Sequence, residues 1–156
     1  MRIDLMGKPH NDKEILDSLP TCDYHRYIVA EGEVIWIGND GEKVDNPNIT
    51  CIPSNIFSFC ANIRKIVIPE GVTYIEPNAF YNCIGLESVT IPNSVTSIDY
   101  QAFWGCRKLK SVIIPSSVTR IGYYAFVCCD NLKIAKVPKK CNVGELAFSN
   151  DTVIRY

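Results

Sequence analysis

Eight cysteines are the residues of this 156-residue chain best equipped for chemistry, as metal ligands, redox pairs or nucleophiles. Zinc gathers four N or S ligands, commonly supplied by Cys-x2-Cys pairs; the chain has no such pair and two histidines, His10 and His25. Cys60, Cys83, Cys106 and Cys129 instead recur every 23 residues. A long fixed period puts one thiol on each of a series of units, where free cysteine serves as a small buried hydrophobe. Neighbouring units would also bring these thiols within disulfide reach, and the spacing leaves that open. Cys128 is expected to face outward as the more reactive thiol, and Cys22, Cys51 and Cys141 stand outside the column.

Other reactive combinations are thin. Cys22 and His25 lie close in sequence, but a nucleophile and its base need a third group to orient them, and none is apparent. The stretch "GNDGE" at 38–42 lacks the remaining acids of a calcium loop and reads as a turn. Neither a P-loop nor a dinucleotide fingerprint is present. The expectation is a protein that is not an enzyme, with no catalytic, cofactor or metal residues to name.

The units that carry the cysteine column are nearly the same phrase three times: "GVTYIEPNAFYNCIGLESVTIP" from Gly71, "SVTSIDYQAFWGCRKLKSVIIP" from Ser94 and "SVTRIGYYAFVCCDNLKIAKVP" from Ser117. Ile68, Ile91, Ile114 and Val137 each precede a proline, and Ala-Phe recurs at 79–80, 102–103 and 125–126, arriving one residue early at 147–148. The segments "KIVIP", "SVTIP" and "SVIIP" alternate as half-buried strands do, with Ile66, Val89 and Val112 inward. Proline removes a backbone donor and ends each strand. Val72, Val95 and Val118, then Ile75, Ile98 and Ile121, return to the core from the other side; phenylalanine fills the wide part and alanine allows close approach. Every repeated position has a packing role. The reading is a mostly β solenoid of parallel strand ladders, of about four to five coils over residues 44–156.

Residues 1–43 are read as an N-terminal cap, because the end coil of a solenoid otherwise exposes its core. "NDKEILDSL" predicts a short helix, with Asn11 capping, Glu14 three residues on and Pro20 closing. A hairpin is expected from Tyr24–Ala30 and Glu33–Ile37 around Glu31-Gly32, with Trp36 in the core of the cap.

The pattern L-x-x-(V/I)-x-I-P-x-x-V-T-x-I-x-x-x-A-F-x-x-C resembles the BspA-like, or Treponema pallidum type, leucine-rich repeat; "LESVTIPNSVTSIDYQAFWGC" follows it nearly position by position. The resemblance covers about residues 46–154 and implies a binding module, of a kind often found on bacterial and protozoan surfaces as an adhesin.

Surface columns then become the functional resource. Net charge is −1, so no overall field draws the chain to nucleic acid or membrane. The charge is polarised: residues 1–45 hold five basic and ten acidic side chains, and 46–156 hold eleven and seven. The expected outward strand columns are Lys65–Ser88–Ser111–Ile134 and Val67–Thr90–Ile113–Lys136. Turn columns present Tyr100, Tyr123 and Trp104, types enriched in interface hot spots. Lys110, Lys133 and Lys136 are expected to form a basic end, with Asp130 as the one acid of that stretch, suited to an acidic protein partner. Nucleic acid ranks below protein, since the rings stand away from the lysines. "TVIRY" predicts a last strand with an open edge, suited to end-to-end self-association. No apolar run reaches the roughly 20 residues of a membrane helix. The opening residues lack the pattern of an export signal, which sets a cytoplasmic expectation, with the cell surface as the alternative.

Overall fold

Two short strands per coil, one on each side of the phenylalanine, build the molecule. The computed structural model describes residues 26–37 and 49–156. In chain order the strands are β1 (Arg26–Ala30), β2 (Glu33–Ile37), β3 (Cys51–Ile52), β4 (Lys65–Val67), β5 (Tyr74–Ile75), β6 (Ser88–Thr90), β7 (Ser97–Ile98), β8 (Ser111–Ile113), β9 (Arg120–Ile121), β10 (Ile134–Lys136), β11 (Asn142–Val143) and β12 (Val153–Arg155). No helix occurs among the described residues. The helix expected at residues 11–19, the turn at 38–42, Cys22, His25 and the Trp36 side chain lie outside them.

One ladder is continuous and wholly parallel, in the order β11-β9-β7-β5-β3. Its threonine column explains the Val-Thr of the repeat. The Thr73 N–H and hydroxyl both donate to the Thr50 carbonyl (2.8 and 3.1 Å), and Thr96 repeats the pair on Thr73 (2.8 and 3.0 Å). The other ladder comes in two hydrogen-bonded parts, β1-β2-β4-β6 and β8-β10-β12. Where they meet, the Lys110 N–H to Glu87 carbonyl contact stretches to 3.4 Å and Val89 is half-buried, whereas Ile66 and Val112 are buried. The hairpin β1–β2 is antiparallel, and β2 lies parallel to β4, with Glu33 opposite Lys65. It therefore occupies the place on this ladder that precedes the first full coil.

Between the ladders the chain turns through left-handed residues at a fixed spacing. Asn55, Asn78, Gln101 and Tyr124 form one such column, and Phe59, Asn82, Gly105 and Cys128 the next, all at positive φ. Asn and Gly take this conformation readily, whereas Tyr124 and Phe59 are held there at a cost of about 1–2 kcal/mol each. The compensation is cross-coil bonding: the N–H groups of Phe57, Phe80, Phe103 and Phe126 donate to the carbonyls of Ala79, Ala102, Ala125 and Ala147 at 2.7–2.9 Å. That spacing sets the core. Phe57, Phe80, Phe103, Phe126 and Phe148 stack with ring centroids 4.8–5.0 Å apart.

The cysteine column is core as expected, with Cys60, Cys83, Cys106 and Cys129 buried and free of disulfides. The thiols of Cys83, Cys106 and Cys129 donate to the carbonyls of Phe57, Phe80 and Phe103 at 3.0–3.3 Å. Burial pushes the Cys83 and Cys106 thiols well above the ordinary range. Cys128 is half-buried, less open than its sequence position suggests.

Candidate protein-binding surface

The strand register displays the two expected outward columns. Lys65 pairs with Ser88 and Val67 with Thr90; Ser111 pairs with Ile134 and Ile113 with Lys136; Val153 and Arg155 continue the columns onto β12. Proline termination and period-2 alternation force this display, because the alternate residues Ile66, Val112 and Ala135 are buried. Val67 is 54% exposed and Ile113 67%, with Ile134 and Val153 also open. The face thus presents aliphatic side chains interrupted by Lys65, Thr90 and Lys136.

Around the turns the aromatic residues largely meet one another. Tyr81 stacks on Trp104 (4.7 Å, 8°), Phe59 meets Tyr81 edge-on (5.5 Å) and Tyr100 meets Tyr124 edge-on (6.1 Å). Trp104 is half-buried as a result, while Tyr100 and Tyr123 remain exposed. Tyr100 and Tyr123 follow β7 and β9 of the continuous ladder, whereas the outward strand columns lie on β4, β6, β8, β10 and β12 of the other.

The basic end differs from its sequence reading. Asp130 is not the acid that these cations meet. Lys110 is paired with Glu87 (3.3 Å), Lys133 with Asp151 (2.7 Å) and Arg120 with Asp99 (3.2 Å), each acid coming from a neighbouring coil. Lys65 is paired with Glu33 of the hairpin at 3.3 Å. Lys133 holds the Asp151 carboxyl below the usual carboxylate range by hydrogen bonding and charge. Spacing carried a signal for the first pair, because Glu87 and Lys110 occupy one column; the shortened last coil hid Asp151 from the same rule. Asp99 also accepts from the Tyr74 hydroxyl, whose ionisation is pushed up chiefly by that hydrogen bond and then by burial. Lys110 and Lys133 are therefore locally neutralised, and Lys136 alone of the three has no ion-pair partner among the described residues.

Two hollows flank Tyr156. One, of about 330 Å³, is lined by residues that include Ile113, Ser116, Lys136, Pro138 and Arg155. The other, of about 510 Å³, is bordered by Lys139, Cys141 and Val143. The sequence places Arg155 and Tyr156 on an edge strand, and only the folded chain brings them beside Ile113 and Lys136. Among the described residues no cluster of His, Cys, Asp or Glu could hold a metal ion, and no helix is long and apolar enough to cross a membrane.

Structural comparison finds the same architecture in bacterial repeat proteins. The leucine-rich repeat protein of Treponema pallidum superposes with a TM-score of 0.66 at 20% identity, 85% of this chain aligning with 67% of that one. A leucine-rich repeat protein of Bacteroides ovatus gives 0.66 at 28% identity over 86% of this chain and 40% of its own. A leucine-rich cell surface protein of Faecalibacterium prausnitzii gives 0.65 at 26% identity over 83% and 38%. The chain thus spans about two fifths of the last two. No curated protein sequence matched. The sequence model of the BspA type leucine-rich repeat region matches residues 44–156 in six copies. Solenoids of this kind are typically non-enzymatic scaffolds that mediate protein interactions. With coil, ladder and period all in agreement, the chain belongs to the BspA-type leucine-rich repeat family.

Proposed function

We propose that this chain is a non-enzymatic protein-binding module that engages another protein through the outward face of the β4–β6–β8–β10 ladder and its basic C-terminal coils. One observation carries the reading: Val67, Ile113 and Ile134 are exposed on the outward face of the ladder, while the inward repeated positions are consumed by packing. Lys65, Thr90, Lys110, Lys133 and Lys136 border that face, and Tyr100, Tyr123 and Trp104 offer a second surface at the turns. Interfaces combine such an apolar centre with a polar rim. The buried thiols of Cys83, Cys106 and Cys129 suit a reducing compartment, and a cytoplasmic setting is the working reading. An adhesin at the cell surface is the alternative, favoured by the likeness to the Faecalibacterium cell surface protein. Among the described residues β12 pairs on one side, with β10, so end-to-end pairing with a second copy is a further contact, read out as mass rising with concentration in sedimentation. Nucleic acid ranks lower because Tyr81 and Trp104 spend their faces on each other.

A photo-crosslinking side chain placed at Ile113 and, separately, at Tyr123 distinguishes the two surfaces in native lysate. Capture of the same protein from position 113, with loss of its binding to the Ile113→Glu variant, supports the ladder face. Capture from position 123 alone, or unchanged binding by Ile113→Glu, refutes it.

A further inference from the structure

Cations on the strand faces of this solenoid are matched with acids: Lys65, Lys110, Arg120 and Lys133 each meet a carboxylate at 2.7–3.3 Å. Lys136 and Arg155 break the pattern. They are register partners on the adjacent parallel strands β10 and β12, so their stems start one strand spacing apart, about 4.8 Å. Neither has an ion-pair partner among the described residues. Both line the groove of about 330 Å³ together with Ile113, Ser116, Pro138 and Tyr156. Two like charges held this close repel each other, and the solenoid backbone keeps their Cα atoms in register.

The structure assigns this groove as a carboxylate subsite for an extended acidic peptide segment of a protein partner. One Asp or Glu side chain bridges Lys136 and Arg155, with the guanidinium fork gripping both oxygens. A neighbouring apolar residue of the peptide lies over the exposed Ile113 beside Tyr156. The Ser116 hydroxyl supplies a further polar contact. This deepens the protein-binding reading above and rests on it. A peptide fits better than a nucleic acid strand for two reasons. Lys133, three residues before Lys136, is already neutralised by Asp151; and aliphatic Ile113 and Ile134 flank the site, where a phosphate backbone would want cations.

Amide shifts of the 15N-labelled full chain report the site directly. The probes are the blocked pentapeptide Val-Glu-Val-Glu-Val, its Gln counterpart and an oligothymidylate. The acidic peptide is expected to move the amides of Ile113, Ser116, Lys136 and Arg155 together and saturably, with the Gln peptide weaker by about tenfold. Lys136→Gln and Arg155→Gln should each weaken the acidic peptide by a similar factor, with the rest of the spectrum showing the fold intact. Glu70→Gln, at an exposed turn of an earlier coil, should leave its affinity unchanged. Shifts confined to the Val67–Thr90 region or to the tyrosine turns would overturn the subsite while leaving the protein-binding reading in place. Equal binding of the Gln peptide, preference for the oligothymidylate, or no shift with any probe would each overturn it as well. Failure of the broader reading is separate, and is seen as failure of crosslinking from position 113.

Discussion

Phe103→Ala removes the middle ring of the phenylalanine column. Phe103 is 0% exposed and lies between Phe80 at 4.8 Å and Phe126 at 5.0 Å, both within 5° of parallel. Truncating a buried phenylalanine costs about 3–5 kcal/mol, more where the cavity cannot collapse. Here collapse is resisted, because the backbones of the three coils are tied by the Phe80 N–H to Ala102 carbonyl and Phe103 N–H to Ala125 carbonyl bonds at 2.7 and 2.8 Å. Phe80 and Phe126 cannot slide together across the missing ring. Two stacked contacts are also lost, each worth about 0.5–1.5 kcal/mol beyond area. The expected cost lies at the upper end, about 4–5 kcal/mol. Phe148→Ala loses one stacked contact among the described residues, to Phe126 at 5.0 Å and 2°, and should cost about 0.5–1.5 kcal/mol less. Stability in a solenoid sums coil and neighbour terms, so loss at the centre should also broaden the transition as the two halves uncouple. Urea melts followed by circular dichroism measure both effects. A cost for Phe148→Ala equal to or above that of Phe103→Ala would refute the stacking account.

Reaction with Ellman's reagent should leave Cys60, Cys83, Cys106 and Cys129 untouched in the native protein and release them on denaturation; fast native reaction of that column would contradict its burial. Because the Cys83 and Cys106 thiols are raised in the fold, the unfolded chain loses those protons first. Stability from these two groups is therefore complete below the free-thiol range of about 8.5 and declines as pH rises above it, which melts between neutral and alkaline pH will show. Gly85→Ala would place a Cβ 2.0 Å from the Ala61 carbonyl oxygen, a backbone atom, so a loss of about 1–3 kcal/mol is expected from overpacking in denaturant melts. Lys133→Ala should raise the Asp151 carboxyl towards the unperturbed value of about 3.9, visible by NMR titration, since Lys133 is the leading cause of its depression.

Fold and core could be read directly from the period. Between coils, residue i meets residues close to i + 23 or i − 23, so a column in the sequence is a column in space; Thr50, Thr73 and Thr96 or Phe80, Phe103 and Phe126 show the rule. Strand register followed for the same reason, since proline and alternation leave one way to face Ile66 and Val112 inward. What the outward side chains do was not readable in this way. Lysine and arginine at the surface are not held by packing, and their stems reach acids off their own column or beyond a regular spacing, as Arg120 does with Asp99 and Lys133 with Asp151. The last coil is where period fails: Val153 follows Ile134 by 19 residues instead of 23. That shortening brings Arg155 and Tyr156 against Lys136 and Ile113, and the groove they share exists only because tertiary packing juxtaposes residues the period does not relate.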